Sequence, residues 1–190
     1  MKTKIRAIGI DDAPFKFSDD EVLVVGSIVR APNYLEGVIS TKVDVDGYDA
    51  TEKVVKMIND SRFAEQGKVI FIDGAALGGF NLVDLSEVYD ETDIPIISVS
   101  RDEPDFDSIK KALKSHFDDW EEKYESISKG EIIGIETEHK PIYVQCEGVE
   151  IDDLKHFLRL FTVRGRLPEP IRISHIVASG IVSGESRGKP

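Results

Sequence analysis

Residues 21–45, EVLVVGSIVRAPNYLEGVISTKVDV, decide the fold of this chain. The first ten are almost wholly apolar, which is typical of a strand that lies in the middle of a sheet. Leu35–Val45 alternates between apolar and polar residues, as a half-buried strand does. The Ala31-Pro32-Asn33 segment between them is a turn signal. The two strands are therefore predicted to be antiparallel neighbours.

The elements on either side complete an α/β pattern. A short strand precedes this pair, and strands and helices alternate after it, before a final hairpin and two helices. The predicted strands are Ile5–Ile10, Glu21–Arg30, Leu35–Val45, Val69–Ile72, Ile94–Val99, Glu131–Glu136 and Pro141–Cys146. The predicted helices are Ala50–Asn59, Leu82–Tyr89, Phe106–His116, Phe117–Ser128, Asp152–Thr162 and Pro168–Val182.

An antiparallel meander followed by β-α units predicts a mixed β-sheet flanked by helices. This is the element order of ribonuclease-H-like nucleases, although other α/β folds share parts of it. No linker or repeat divides the pattern, so residues 1–190 are expected to form a single domain.

The charge balance points away from a simple DNA-binding patch. The chain of 190 residues has a net charge of −12 and is 41% hydrophobic, which is typical of a globular protein. Residues 164–190 are the exception, with five Lys and Arg against two Glu. This basic end is either a solvated tail or an anion-binding segment.

Several absences predict a cytoplasmic protein that does not associate with membranes. No apolar run approaches the ~20 residues that span a bilayer. Acidic residues stand where a secretory signal would need an apolar core. The single Cys146 cannot form an internal disulfide, which fits a reducing compartment.

Carboxylates follow three of the predicted strands. Asp11 and Asp12 end the first strand, Asp73 ends the fourth, and Asp44 and Asp46 lie near the end of the third. Strand ends of α/β sheets are where ligand sites form. Clustered carboxylates repel one another unless they are protonated or bind metal, and oxygen ligands suit Mg²⁺ or Mn²⁺. Each Asp alone is equally compatible with a turn or a helix cap.

The most specific stretch of the chain is RGRLPEPIRISH, residues 164–175. It resembles the carboxyl-terminal motif of endonuclease V, in which Arg-x-Pro-Glu-Pro-x-Arg-x-x-His opens a helix beside the active site. The matching positions are Arg166, Pro168, Glu169, Pro170, Arg172 and His175. Gly9-Ile10-Asp11 and Asp73-Gly74 are similar to that family's two metal-binding strand ends. Tyr34-Leu35-Glu36-Gly37 is similar to its Tyr-Ile-Pro-Gly wedge, which separates the two nucleic-acid strands beside a lesion.

The resemblance implies an endonuclease that depends on Mg²⁺ or Mn²⁺ and nicks DNA, or RNA, near deaminated bases such as hypoxanthine or uracil. It implies phosphodiester hydrolysis on the 3′ side of the lesion. Asp11, Asp73 and a third acid would hold metal, and His175 would orient water or transfer a proton. The nucleic acid would contact residues of each motif. These are Tyr34 and Gly37 of the wedge, Gly74 after the second strand end, and Arg166 and Arg172 of the carboxyl-terminal motif.

Two departures from the family leave alternatives open. Glu36 replaces the second proline of the wedge, and the family's third-strand Glu is absent at the matching spacing. The metal-binding role passes to Asp46 first and to Asp44 second. His175 is otherwise a core histidine, and Arg172 otherwise pairs with Glu169 one turn earlier. The alternative function is a catalytically inactive protein that binds nucleic acid or nucleotides.

Overall fold

A mixed seven-stranded sheet is the centre of the computed structural model, which describes residues 5–186. Two further short strands, β5 and β6, pair only with each other. In chain order the strands are β1 (Arg6–Asp12), β2 (Glu21–Arg30), β3 (Tyr34–Asp44), β4 (Val69–Asp73), β5 (Ala76–Leu77), β6 (Asn81–Leu82), β7 (Ile96–Ser100), β8 (Ile133–Ile135) and β9 (Ile142–Glu147).

The strand order is β3-β2-β1-β4-β7-β9-β8. The three amino-terminal strands pair antiparallel, whereas β1, β4 and β7 run parallel to one another. The carboxyl ends of β1, β4 and β7 therefore share one edge of the sheet, which we call the carboxyl edge. This arrangement confirms the predicted α/β class, with a meander followed by β-α units.

Helices cover both faces of the sheet. They are α1 (Ala50–Asn59), α2 (Leu85–Thr92), α3 (Phe106–His116), α4 (Trp120–Ser128), α5 (Ile151–Phe161) and α6 (Glu169–Ser183). The apolar residues of α1 and α2 join one core cluster, and those of α5 and the first turn of α6 join a second cluster. Within residues 5–186, no helix is long and apolar enough to cross a membrane.

The sequence pattern predicted the bounds of β2, α1 and α3 as the structure has them. It missed the β5–β6 hairpin, because strands of two residues carry no periodicity. It also began α2 too early. The helix starts at Leu85, since the Asp84 side chain accepts hydrogen bonds from the Ser86 and Glu87 amides. Arg187 and Lys189, two of the basic residues counted in the carboxyl-terminal segment, lie outside the described residues.

Helix α6 lies unusually close to β1 and β2. A Cβ atom added at Gly9 would lie 2.1 Å from the backbone carbon of Pro170. The Ser174 hydroxyl donates to the Gly9 carbonyl over 2.7 Å and accepts from the Ser27 amide over 3.1 Å. The Ser27 hydroxyl donates to the Pro170 carbonyl over 2.8 Å. Glycine in β1 therefore permits the contact, and two buried serines fix the position of the helix.

We expect Gly9→Ala to lower the melting temperature by about 2–12 °C. The new methyl group meets backbone that cannot rotate away, and overpacking of this kind costs ~1–3 kcal/mol, or about 2–4 °C for each kcal/mol. Differential scanning calorimetry at neutral pH measures the change.

Gly180→Ala is the matched control, because it lies in the same helix and a Cβ there meets no atom within 4 Å. This variant should gain about 1–4 °C, since alanine is favoured over glycine in a helix by ~0.5–1 kcal/mol. Equal melting temperatures for Gly9→Ala and the parent would show that the close approach does not constrain the fold.

Candidate active site

Two aspartates meet at the carboxyl edge of the sheet. Ile10 of β1 is the partner of Ile72 of β4, so the next residues, Asp11 and Asp73, end neighbouring parallel strands. Asp11 is only 5% exposed. Burial, together with the nearby charges of Asp73 and Asp12, raises its pKa from the ordinary 3.8 to about 8. Burial also raises the pKa of Asp73. The strand ends thus hold negative charge that is poorly solvated.

His175 reaches this pair from α6. Its Nδ1 atom lies 3.0 Å from Oδ2 of Asp11, and the side chain is largely buried. A contact of this length between a ring nitrogen and a carboxyl oxygen requires a proton on one of the two atoms. The docking of α6 through Ser174 therefore places a proton-carrying group directly on Asp11.

Arg101 is a site residue that the sequence pattern did not single out. It follows β7, and its charge lowers the pKa of both Asp11 and Asp73. Its Nη2 atom is buried and has no hydrogen-bond partner among residues 5–186. A buried donor of this kind costs free energy unless a ligand satisfies it, and a phosphate oxygen is a suitable acceptor. Extending the strand-end rule from acids to cations would have identified this residue.

Asp12 is the third carboxylate near the pair. It follows Asp11 in β1, so its side chain leaves the opposite face of the sheet. It accepts a hydrogen bond of 2.6 Å from the Gly78 amide. Burial is the largest cause of its raised pKa, and the charge of Asp73 adds to the effect. The sequence placed Asp12 at the strand end but gave it no role.

The predicted third ligands, Asp46 and Asp44, also lie near the carboxyl edge, where the Asp46 amide donates to the Gly78 carbonyl over 2.8 Å and Asp44 pairs with Glu21 at the start of β2. Strand β3 ends at Asp44, and Asp46 has a φ of 56°, so the two side chains do not continue on one face of a strand. The Asp46 carboxylate instead accepts from the Phe80 amide over 2.8 Å. Asp44 is exposed, and its backbone bonds to Asp49 and Asn81. The charge of Asp12 contributes to the raised pKa of Asp11, and the charge of Asp73 contributes to the raised pKa of Asp12, so these three acids lie close to one another.

The wedge predicted at Tyr34 and Gly37 lies at the opposite end of the sheet from Asp11. Tyr34 is the partner of Arg30, which is the partner of Arg6, five residues before Asp11 along β1. At ~3.4 Å per residue this separates Tyr34 from Asp11 by roughly 17 Å. Gly37 has a packing role, because a Cβ there would lie 2.5 Å from the Phe63 ring.

Another exposed tyrosine, Tyr48, lies beyond the carboxyl edge in the loop that follows β3. The Lys123 ammonium lies 3.8 Å from the centre of its ring, and its hydroxyl donates to Asp119. The same ammonium donates to the carbonyls of Gly47 and Phe80, so this tyrosine belongs to the loops around the site.

The two predicted phosphate-binding arginines already have protein partners. Arg166 donates to the carbonyls of Arg101 over 2.8 Å and Pro141 over 3.2 Å, which joins the loop before α6 to the end of β7. Arg172 forms a bidentate pair with the buried Glu169, as the alternative interpretation proposed. Gly74 follows Asp73 with a φ of 74° and open space where a Cβ would stand.

The donor atoms at this edge fit Mg²⁺ or Mn²⁺. Across residues 5–186, no group of three or more His, Cys, Asp and Glu side chains could hold a metal ion by itself. Mg²⁺, however, usually binds to one or two carboxylates together with water and substrate phosphate. Asp11 and Asp73 supply such carboxylates, and a cation would offset the charge that burial leaves there. A closed zinc site would need four nitrogen or sulfur ligands.

Comparisons with known proteins show the family to which the chain belongs. The family model described as endonuclease dU matches residues 3–182. The chain belongs to the endonuclease dU family. A UPF0215 protein from Methanothermobacter thermautotrophicus is 46% identical over 190 residues, covering 99% of this chain and 93% of the relative. This relative shows that the family has members in archaea.

Two solved structures place the endonuclease dU family among known folds. A protein of unknown function from Archaeoglobus fulgidus matches with a TM-score of 0.83 and 39% identity, covering 94% of this chain and 99% of that one. Endonuclease V of Ciona intestinalis, in complex with an inosine-containing 24mer DNA, matches with a TM-score of 0.58 and 14% identity. That match covers 90% of this chain and 82% of the other, and it shows a shared fold.

We expect Asp11→Asn to stabilise the metal-free protein at pH 8 but not at pH 4. The folded state holds a proton on Asp11 up to about pH 8, whereas the unfolded chain loses it near the ordinary pKa of 3.8. Between pH 3.8 and about pH 8 the folded state therefore carries a proton that the unfolded chain has lost. The free energy of unfolding falls as the pH rises through this range. At pH 8 in EDTA the variant should melt at least about 2–4 °C higher, the shift that ~1 kcal/mol produces.

The control is Asp44→Asn, an exposed acid near the same edge, whose melting temperature should follow the parent at both pH values. An Asp11→Asn variant that is less stable than the parent at pH 8 would show that the buried charge of Asp11 does not destabilise the folded protein.

Proposed function

We propose that this protein is an endonuclease that depends on a divalent cation and nicks nucleic acid at deaminated bases, with deoxyuridine in DNA as the first substrate to test. The family description names deoxyuridine, and the Ciona relative was solved with DNA that contains inosine. Hypoxanthine in DNA is the second substrate, and RNA carrying either base is the third.

The observation that carries this proposal is the pairing of Asp11 with Asp73 and His175. Two carboxylates at parallel strand ends give a place for Mg²⁺, and His175 Nδ1 lies 3.0 Å from Asp11 Oδ2. When bound there, a divalent cation would supply electrostatic stabilisation of the phosphodiester oxygens and would lower the pKa of a coordinated water. Phosphodiester hydrolysis is the chemistry that such a set of groups performs.

The chain's own residues account for binding and orientation. Arg101 offers a buried guanidinium donor to a phosphate oxygen beside the carboxylates. Hydrogen bonding to Asp11 holds the His175 ring in one orientation, and this ring is placed to accept or return a proton during hydrolysis. Asp12 fixes the loop after β4 through the Gly78 amide.

A catalytically inactive nucleic-acid-binding protein is the second candidate. The observation that favours it is that residues 5–186 form no metal site of three or more protein ligands. On this hypothesis the carboxylates of Asp11 and Asp73 would hold no catalytic cation. Arg101 would bind a phosphate group of the nucleic acid, and no phosphodiester bond would be cut.

The test is a nicking assay on end-labelled oligonucleotides that carry one deoxyuridine or one deoxyinosine, as single strands and duplexes. With Mg²⁺ or Mn²⁺ we expect a cut on the 3′ side of the lesion and none in EDTA. Asp11→Asn and Asp73→Asn should lower the rate at least ~100-fold, because each removes charge from the cation site. Asp46→Asn should retain most of the activity.

Binding of the same oligonucleotides in EDTA separates the two candidates. We expect the parent to bind and cut the oligonucleotides, and the Asp11→Asn and Asp73→Asn variants to bind them without cutting. A parent that binds the oligonucleotides and never cuts any of them with either cation would reject the nuclease and support the binding protein.

A further inference from the structure

An exposed phenylalanine stands on the loop between β1 and β2. Phe17 is 78% exposed, the highest value among the exposed large apolar side chains of residues 5–186. The loop is a defined turn, because the Asp19 amide donates to the Lys16 carbonyl over 2.9 Å and the Asp19 carboxylate accepts from the Lys16 amide over 2.8 Å. The Phe15 ring packs edge-on against Phe17 at 5.6 Å between centroids. The turn therefore holds an aromatic ring out in solvent.

This ring lies beside the loop that adjoins the carboxylates. A Cβ at Gly79 would lie 3.6 Å from Cε1 of Phe17, so the two residues are neighbours. The preceding Gly78 donates its amide to Asp12, the residue that follows Asp11. A short series of contacts thus joins Phe17 to the candidate active site on the rim formed by the loops after β1 and β4.

The glycine beside Phe17 keeps that flank of the ring uncovered. Gly79 has a φ of +90°, and a Cβ there would lie 2.3 Å from Oδ1 of Asp46. The Asp46 oxygen is fixed by the Phe80 amide, so no side chain fits at this position without rearrangement. Since Phe17 has no polar group, the contact it offers is to a flat apolar surface of a ligand. A nucleobase is such a surface, and every base has one.

The charge of the protein makes such a contact useful. With a net charge of −12, long-range attraction of a polyanion is weak, and the acids near the turn, Asp19, Asp20 and Asp46, add to this. Stacking acts over short range and does not need basic residues. It supplies affinity where the electrostatic attraction of the surface does not.

We propose that Phe17 stacks on an unpaired nucleobase of the substrate, adjacent to the deaminated nucleotide at the carboxylates. The proposal rests on the proposed function, because it takes nucleic acid as the ligand of that site. It assigns Phe17 as a base-stacking residue that positions the strand, separate from the groups that hold the cation and the proton.

The experiment measures affinity by fluorescence anisotropy in EDTA, on a labelled single strand and a labelled duplex that each contain one deoxyuridine. Phe17→Ala should weaken binding at least about 5-fold, the change that the lower limit of base–aromatic stacking predicts. Phe17→Trp should bind as well as the parent or better. Tyr34→Ala is the matched control, since Tyr34 is 60% exposed but lies at the opposite edge of the sheet. Its affinity should equal that of the parent.

A spectroscopic signal distinguishes stacking from a general effect on the loop. 2-Aminopurine placed beside the deoxyuridine should be quenched on binding the parent and Phe17→Trp, and less so on binding Phe17→Ala. Unchanged affinity and quenching in Phe17→Ala, with binding by the parent intact, would overturn the stacking proposal and leave the proposed function standing. A parent that binds neither oligonucleotide would overturn both.

Discussion

The contact between Gly9 and Pro170 is the constraint on which the site depends. Helix α6 approaches β1 so closely that a single methyl group on Gly9 would lie within 2.1 Å of its backbone. Ser27 and Ser174 complete the contact with buried hydrogen bonds. One residue beyond Ser174, His175 meets Asp11. The distance of 3.0 Å between them is therefore set by packing of the helix on the sheet, and a looser helix would lose it.

The same edge concentrates charge that the fold does not balance. Asp11, Asp12 and Asp73 all have raised pKa values, with burial as the largest cause in each case. Arg101 offsets part of this charge but retains a buried donor that has no partner among the described residues. Groups left in this state reduce stability in the absence of a ligand. They are suited to a cation and a phosphate group, each of which would satisfy one side of the imbalance.

Local sequence patterns were enough to predict most of the fold. Alternation in residues 35–45 and the apolar stripe of residues 50–59 identify β3 and α1 because each pattern follows from its own backbone geometry. Asp11, Asp73 and His175 could be selected because strand ends and a helix motif mark them. The positions of Tyr34 and Asp46 relative to Asp11 do not follow from a local pattern, because they depend on strand register and on where β3 ends. Arg101 was missed because the strand-end rule was applied to acids alone, and its proximity to Asp73 follows from the pairing of β7 with β4.

Direct binding of a divalent cation tests whether Asp11 and Asp73 form a cation site. Mn²⁺ titrated into the metal-free protein and followed by electron paramagnetic resonance reports free and bound ion without any need for turnover. The parent should bind Mn²⁺, and a nucleic acid strand should tighten this binding. The Asp11→Asn and Asp73→Asn variants should lose Mn²⁺ binding, whereas Asp44→Asn should retain it. Equal binding of Mn²⁺ by the parent and the Asp11→Asn and Asp73→Asn variants would contradict the account.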